Sequence, residues 1–139
     1  MTNNKAKILI VEDDLSSQQY YTVILEEKYE LYMVPTVKEA KQALKENVFK
    51  VAIIDISLPG GESGIDLIKF MHDKYPKNPD CIALTANAFP HIRAESLEAG
   101  ASEFFTKPIM SDVLLQVVGK YVTRSKQKAI PIDAIPITP

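Results

Sequence analysis

Tryptophan is absent, cysteine occurs once, and no apolar run approaches the roughly 20 residues needed to span a bilayer. A lone Cys81 excludes an internal disulfide and fits a reducing compartment. Basic blocks are also missing. Lys and Arg number 16 against 18 Asp and Glu, a net charge of −2, so a phosphate backbone has nothing to bind and direct DNA binding is not expected. The opening MTNNKAK leads straight into an apolar run, without the profile of a signal peptide. The expectation is a cytoplasmic protein with no membrane association. What is present is ordinary globular composition, 46% hydrophobic and 24% charged over 139 residues. That suits one domain with a single core, burying roughly two-thirds of the unfolded surface.

Val51–Gly60, VAIIDISLPG, organises the chain. Val51 to Ile54 read as a strand covered on both faces, stopping at Asp55 before Pro59-Gly60-Gly61 turn the chain away. Lys7 to Val11 is a similar run, ending in Glu12, Asp13 and Asp14. A helix follows from Leu15 to about Lys28, with Asp14 as N-cap and two i, i+4 rows: Tyr20, Ile24, Lys28 and Tyr21, Leu25. Tyr29–Val34 is a weaker strand closed by Pro35. Thr36 and Glu39 form a capping pattern for the next helix. Ser63 with Asp66 opens a third helix, with Ile65, Ile68, Met71 and Tyr75 inward and Pro76 ending it. Cys81–Leu84 is the fourth strand, with Cys81 a core residue. A helix over Ile92–Ala99 with Gly100 at its C-terminus, a strand over Glu103–Thr106 and a helix over Ser111–Val122 complete the pattern. Met71 and Met110 read as core filler, His72 and His91 as surface positions without metal-ligand neighbours.

Five strands alternating with five helices predict an α/β domain, a doubly wound five-stranded parallel sheet of flavodoxin-like order 2-1-3-4-5. After Arg124 the composition turns polar, then proline-rich, with three prolines in the last nine residues. The expected division is therefore a domain over residues 5–123 and an extended tail or linker stub over 124–139.

Chemistry collects at the strand ends. Four of them carry Glu12-Asp13, Asp55, Thr85 and Lys107, while the second, an edge strand, ends blandly. Ligands in open parallel sheets lie beyond the carboxyl ends, where the order reverses, and strands one and three flank that point. Three carboxylates so close repel unless neutralised, and a hard divalent cation, Mg²⁺ by preference, is the economical solution. With Lys107 as a compact cation and Thr85 as a hydroxyl donor, the set suits phosphoryl transfer onto Asp55. Taken singly, each residue has a plainer reading, as a helix cap, turn residue or loop residue.

ILIVEDD, AIIDISLP, ALTA and FFTKPI, in that order, resemble the signature stretches of bacterial two-component response-regulator receiver domains, over about residues 5–122. The resemblance implies that Asp55 is the phosphoacceptor, charged from a histidine kinase or histidine phosphotransfer protein. It implies Mg²⁺ on Asp13, Asp55, Glu12 (through water) and the Ser57 carbonyl, with Lys107 pairing with the phosphoryl group. Thr85 and Phe104 become the switch pair, shifting the face of the fourth helix, fifth strand and fifth helix. Lys107-Pro108 is expected to be cis. Ser17, Tyr20, Tyr21 and Ile109 are the candidate partner surface, with whichever tyrosine faces inward belonging to the core. Two departures stand out: the stretch from Pro59 to Gly64 is one residue longer than the family pattern, and Phe104 lacks a tyrosine's hydroxyl.

Such a protein is a regulator that assists its own phosphorylation and dephosphorylation, not an enzyme with turnover. A free-standing regulator, a receiver segment of a hybrid histidine kinase and a truncated regulator all fit, as does a phosphorylation-dependent homodimer; the output partner is unspecified. An aspartyl phosphatase of the haloacid dehalogenase type would want Asp where Ser57 stands. A pure interaction module would not need the intact acid, Thr and Lys set.

Overall fold

The branched apolar runs become strands: β1 (Lys7–Val11), β2 (Glu30–Val34), β3 (Val51–Asp55), β4 (Asp80–Thr85) and β5 (Glu103–Thr106). Between and after them run α1 (Leu15–Leu25), α2 (Val37–Glu46), α3 (Gly64–Lys74), α4 (Pro90–Ala99) and α5 (Ser111–Gln127). The structure is a computed structural model describing residues 5–58, 63–87 and 89–127. All strand pairs are parallel, in the expected order β2-β1-β3-β4-β5.

Period-two alternation sorts the strand side chains onto two faces. Leu9, Val11, Ala52, Ile54, Cys81 and Ala83 join Val37, Ala40 and Leu44 of α2 and Leu67, Ile68 and Met71 of α3 in one core. Ile8, Ile10, Val51, Ile53, Ile82 and Leu84 meet Tyr21 and Leu25 of α1 and Leu114, Val118 and Tyr121 of α5 in the other. The three central strands are thus sealed on both sides, as their unbroken apolar runs require.

Local signals start α1, α2 and α3 where expected, while α4 begins at Pro90, two residues before the expected Ile92, because proline suits the first turn of a helix. Asp14 Oδ2 accepts from the Ser17 N–H at 2.9 Å, and Ser63 and Asp66 make a reciprocal capping box at the start of α3. Two helix ends differ from expectation. Helix α1 stops at Leu25, not Lys28; residues 26–28 are exposed, and the Lys28 N–H tightens onto the carbonyl of Leu25, three residues back, at 3.2 Å. Helix α5 runs to Gln127, since polar residues do not stop a helix and the first proline ahead is Pro131. It therefore crosses the boundary expected at residue 124. The remainder of the expected tail, and Pro59 to Glu62 of the longer loop, lie outside the described residues. Among the described residues no helix is long and apolar enough to cross a membrane.

Candidate functional site

Register decides which acids meet. Val11 pairs with Ile54, so the next residues, Glu12 and Asp55, emerge side by side at the carboxyl ends of β1 and β3. Glu12 is 1% exposed and Asp55 6%. Glu12 Oε2 accepts from the Asp14 N–H at 3.1 Å, and Asp55 Oδ1 from the Ser57 N–H at 2.9 Å. Gln18 Nε2 donates to the Glu12 carbonyl at 2.6 Å, tying α1 to the end of β1. Asp13 is exposed, and one carboxylate oxygen from each of Glu12, Asp13 and Asp55 falls within 4.8 Å of the others.

Lys107 reaches into this group from the loop after β5. Its Nζ donates to Glu12 Oε1 at 2.6 Å and to Asp55 Oδ2 at 3.1 Å. Its own N–H donates to the Thr85 carbonyl at 2.9 Å, and Lys107-Pro108 is cis. Thr85, 1% exposed, ends the strand next to β3, and its hydroxyl accepts from the Asn87 N–H at 3.1 Å. Burial pushes the Glu12 carboxyl above its ordinary range; Lys107's hydrogen bond works against this, and Asp55's charge adds to it. Burial disfavours the Lys107 ammonium too, but its bonds to Glu12 and Asp55 outweigh that and hold it above the usual lysine range. Two buried acids therefore share one cation. The surplus negative charge fits a small divalent cation with oxygen ligands.

The other expected residues divide. Phe104 is half-buried in β5 against the α2–α4 core, below the rim. Ser17 lies in the first turn of α1. Tyr20 is 39% exposed and its hydroxyl donates to the Ile109 carbonyl at 2.6 Å. Tyr21 is the tyrosine that faces inward; it and Ile109 are 2% and 4% exposed, and both line a cavity of about 230 Å³ with Ser17, Tyr20, Lys107 and Pro108. Burial pushes the Tyr21 phenol up to about 12. Met110, expected in the core, is 64% exposed, while its neighbour Ile109 takes the inward place. His72 and His91 are exposed and Cys81 is buried, as expected.

Gly64 carries a role that sequence reasoning did not assign. A Cβ there would stand 2.5 Å from the Asp55 carbonyl oxygen and 2.7 Å from the Ile56 Cα. Only glycine lets the start of α3 lie against the backbone that holds Asp55. Its place just before the helical periodicity was the available signal.

The response regulator receiver domain profile matches residues 8–119. The chain belongs to this family. The receiver domain is similar to the response regulator PilR of Pseudomonas aeruginosa, 31% identical over 133 residues, covering 94% of this chain and 29% of PilR. It is 33% identical over 120 residues to PhoP of the same organism, covering 86% of this chain and 52% of PhoP. It thus spans about half or less of these two regulators. A CheY-like receiver from Methanospirillum hungatei superposes with a TM-score of 0.84 at 28% identity, covering 90% of this chain and 99% of that one. As a receiver domain of response regulators, the chain is on the phosphoacceptor side of two-component signalling.

Proposed function

We propose that Asp55 takes a phosphoryl group from the phosphohistidine of a histidine kinase or histidine phosphotransfer protein. The N–P bond to the donor imidazole breaks as a bond forms between phosphorus and an Asp55 carboxylate oxygen; the electron pair returns to the imidazole nitrogen. The observation that carries the reading is the Lys107 ammonium held between Glu12 and Asp55 at 2.6 and 3.1 Å. It stands ready to neutralise phosphoryl oxygens without first being recruited. Asp13, Asp55, Glu12 (through water) and the Ser57 carbonyl would hold Mg²⁺, whose charge would further stabilise the transferring group.

The acyl phosphate adds nearly two negative charges at a rim that is already crowded. Lys107 leaves Glu12 for the new oxygens, and the Thr85 hydroxyl leaves the Asn87 N–H to donate to them. Thr85 and Lys107 are joined through their backbones, so both loops respond together. Phe104 settles further inward, and the face of α4, β5 and α5 shifts by a coupling of about 1–3 kcal/mol. Ser17 and Tyr20 flank the donor's approach, and a homodimer formed on phosphorylation would use the shifted face.

Incubation with acetyl phosphate and Mg²⁺, followed by intact mass, should give one added phosphate that Asp55→Asn abolishes. Phosphate on the Asn variant, or none on the parent, removes the reading. Beryllofluoride with Mg²⁺ should shift amide signals of α4, β5 and α5; unchanged signals there would remove the switch.

A further inference from the structure

The loop that carries Lys107 is short, and what fixes it matters to the reaction. Thr106 ends β5 and Ser111 opens α5, leaving Lys107, Pro108, Ile109 and Met110 between them. At one end the Lys107 N–H is bonded to Thr85; at the other the Met110 carbonyl accepts from Leu114 within the first turn of α5. Pro108 and Met110 are exposed. The middle is held by the buried Ile109 side chain and by the hydrogen bond from Tyr20 to the Ile109 carbonyl at 2.6 Å, which joins residues 89 apart in sequence.

We infer that Tyr20 is a positioning residue for Lys107. The bonds close a ring: Lys107 Nζ to Glu12 Oε1, the Glu12 carbonyl to Gln18 Nε2, along α1 to Tyr20, and the Tyr20 hydroxyl to the backbone two residues beyond Lys107. The acid that holds the ammonium at rest and the helix that pins its main chain are thus one assembly. When Lys107 leaves Glu12 for a phosphoryl oxygen, the pinned backbone confines the movement to the side chain. Without the phenolic hydroxyl the loop drifts, and the ammonium spends less time where charge develops. Tyr20 keeps its edge-to-face contact with Tyr21, ring centroids 5.9 Å apart, so its ring is already oriented when the hydroxyl is removed. Glu12, Asp13 and Asp55 are all outside this loop, and a less firmly held Lys107 competes less for Glu12 and Asp55, so metal binding should not weaken when the Tyr20 hydroxyl is removed.

This inference rests on the phosphoacceptor reading, and Tyr20→Phe tests it with two readouts. At saturating Mg²⁺ the rate of phosphorylation by acetyl phosphate should fall about two- to tenfold, the factor corresponding to one net hydrogen bond. Mg²⁺ affinity, measured by calorimetry, should not fall. The Lys107 side-chain ammonium signal in ¹⁵N NMR, assigned with Lys107→Arg, should shift in metal-free Tyr20→Phe. An unchanged rate, an unmoved Lys107 signal, or Mg²⁺ affinity lost in the same proportion as rate would each overturn the inference. If the parent itself takes no phosphate, the phosphoacceptor reading fails on its own, and the Lys107 signal still decides whether Tyr20 positions that side chain.

Discussion

The two ends of the sheet are lined by opposite charges handled in opposite ways. At the carboxyl end, Glu12 and Asp55 are buried against one another and share Lys107. At the amino end, a mainly basic groove of about 900 Å³ is lined by Lys5, Lys7, Lys28, Lys45 and Lys50 with one acid, Glu46. These lysines have modest tasks beside helix ends: Lys5 Nζ donates to the carbonyl of Glu26, which caps α1, and Lys7 Nζ to Asn47 Oδ1, at the cap of α2. This groove is therefore not the reactive end. Reactivity follows buried charges crowded together, and at the carboxyl end Glu12 and Asp55 share one ammonium.

The comparison breaks most readily at Lys107. Lys107→Met should slow phosphorylation by acetyl phosphate about a hundredfold, the scale of losing one preorganised charge donor. Retained rates would mean that the ammonium at Glu12 and Asp55 is only structural. Next in size is Gly64→Ala, which forces a methyl group against the Asp55 and Ile56 backbone. Urea unfolding should show a loss of about 2 kcal/mol, the range for overpacking against atoms that cannot yield. A neutral result would show that the start of α3 can back away from Asp55.

Glu12 sharpens the comparison through pH. Its carboxyl is raised above the ordinary 4.5 by burial. A carboxyl raised on folding contributes stability that is fully present below the unfolded value and lost as pH climbs through the folded value. Metal-free protein should shed this contribution from about pH 4.5 upward. Glu12→Gln, neutral throughout, should then be more stable than the parent at neutral pH and match it in acid. Saturating Mg²⁺ should reverse the order at neutral pH. A parent more stable than Glu12→Gln in metal-free neutral buffer would show that the Lys107 ion pair outweighs the burial.

Strand and site positions were legible for one reason: the features that end a buried strand here are the features that do chemistry. Val51–Ile54 is apolar throughout because both faces are covered, so Asp55 marks both the end of burial and the start of the rim. Loops and helix faces were less legible. Ile109 and Met110 are adjacent and similarly apolar, and in a loop no period says which one turns inward. On α1 the Tyr20 and Tyr21 rows are both partly apolar; packing against the strands and α5 puts Tyr21 in the core and leaves Tyr20 at the surface. The closer pairing of Lys107 with Glu12 than with Asp55 depends on loop geometry that strand ends do not encode. Gly64 needed the third dimension, because its constraint is the backbone of a residue nine positions away.

The smallest effect belongs to the amino end. Lys28 and Lys45 are both exposed beside the groove, and Lys45 sits in the last turn of α2, where a cation favours the helix dipole. Replacing both by Gln should cost about 0.5 kcal/mol at low ionic strength and less at high salt, because the charges are solvated and screened. Phosphate uptake by Asp55 should be untouched, since the sheet core separates the groove from the acids and the screening length is only about 8–10 Å. A salt-independent loss would mean that these side chains act by packing and not by charge. A change in uptake would mean that the groove is coupled to the phosphoacceptor through the strands, and the two ends would then have to be read as one system.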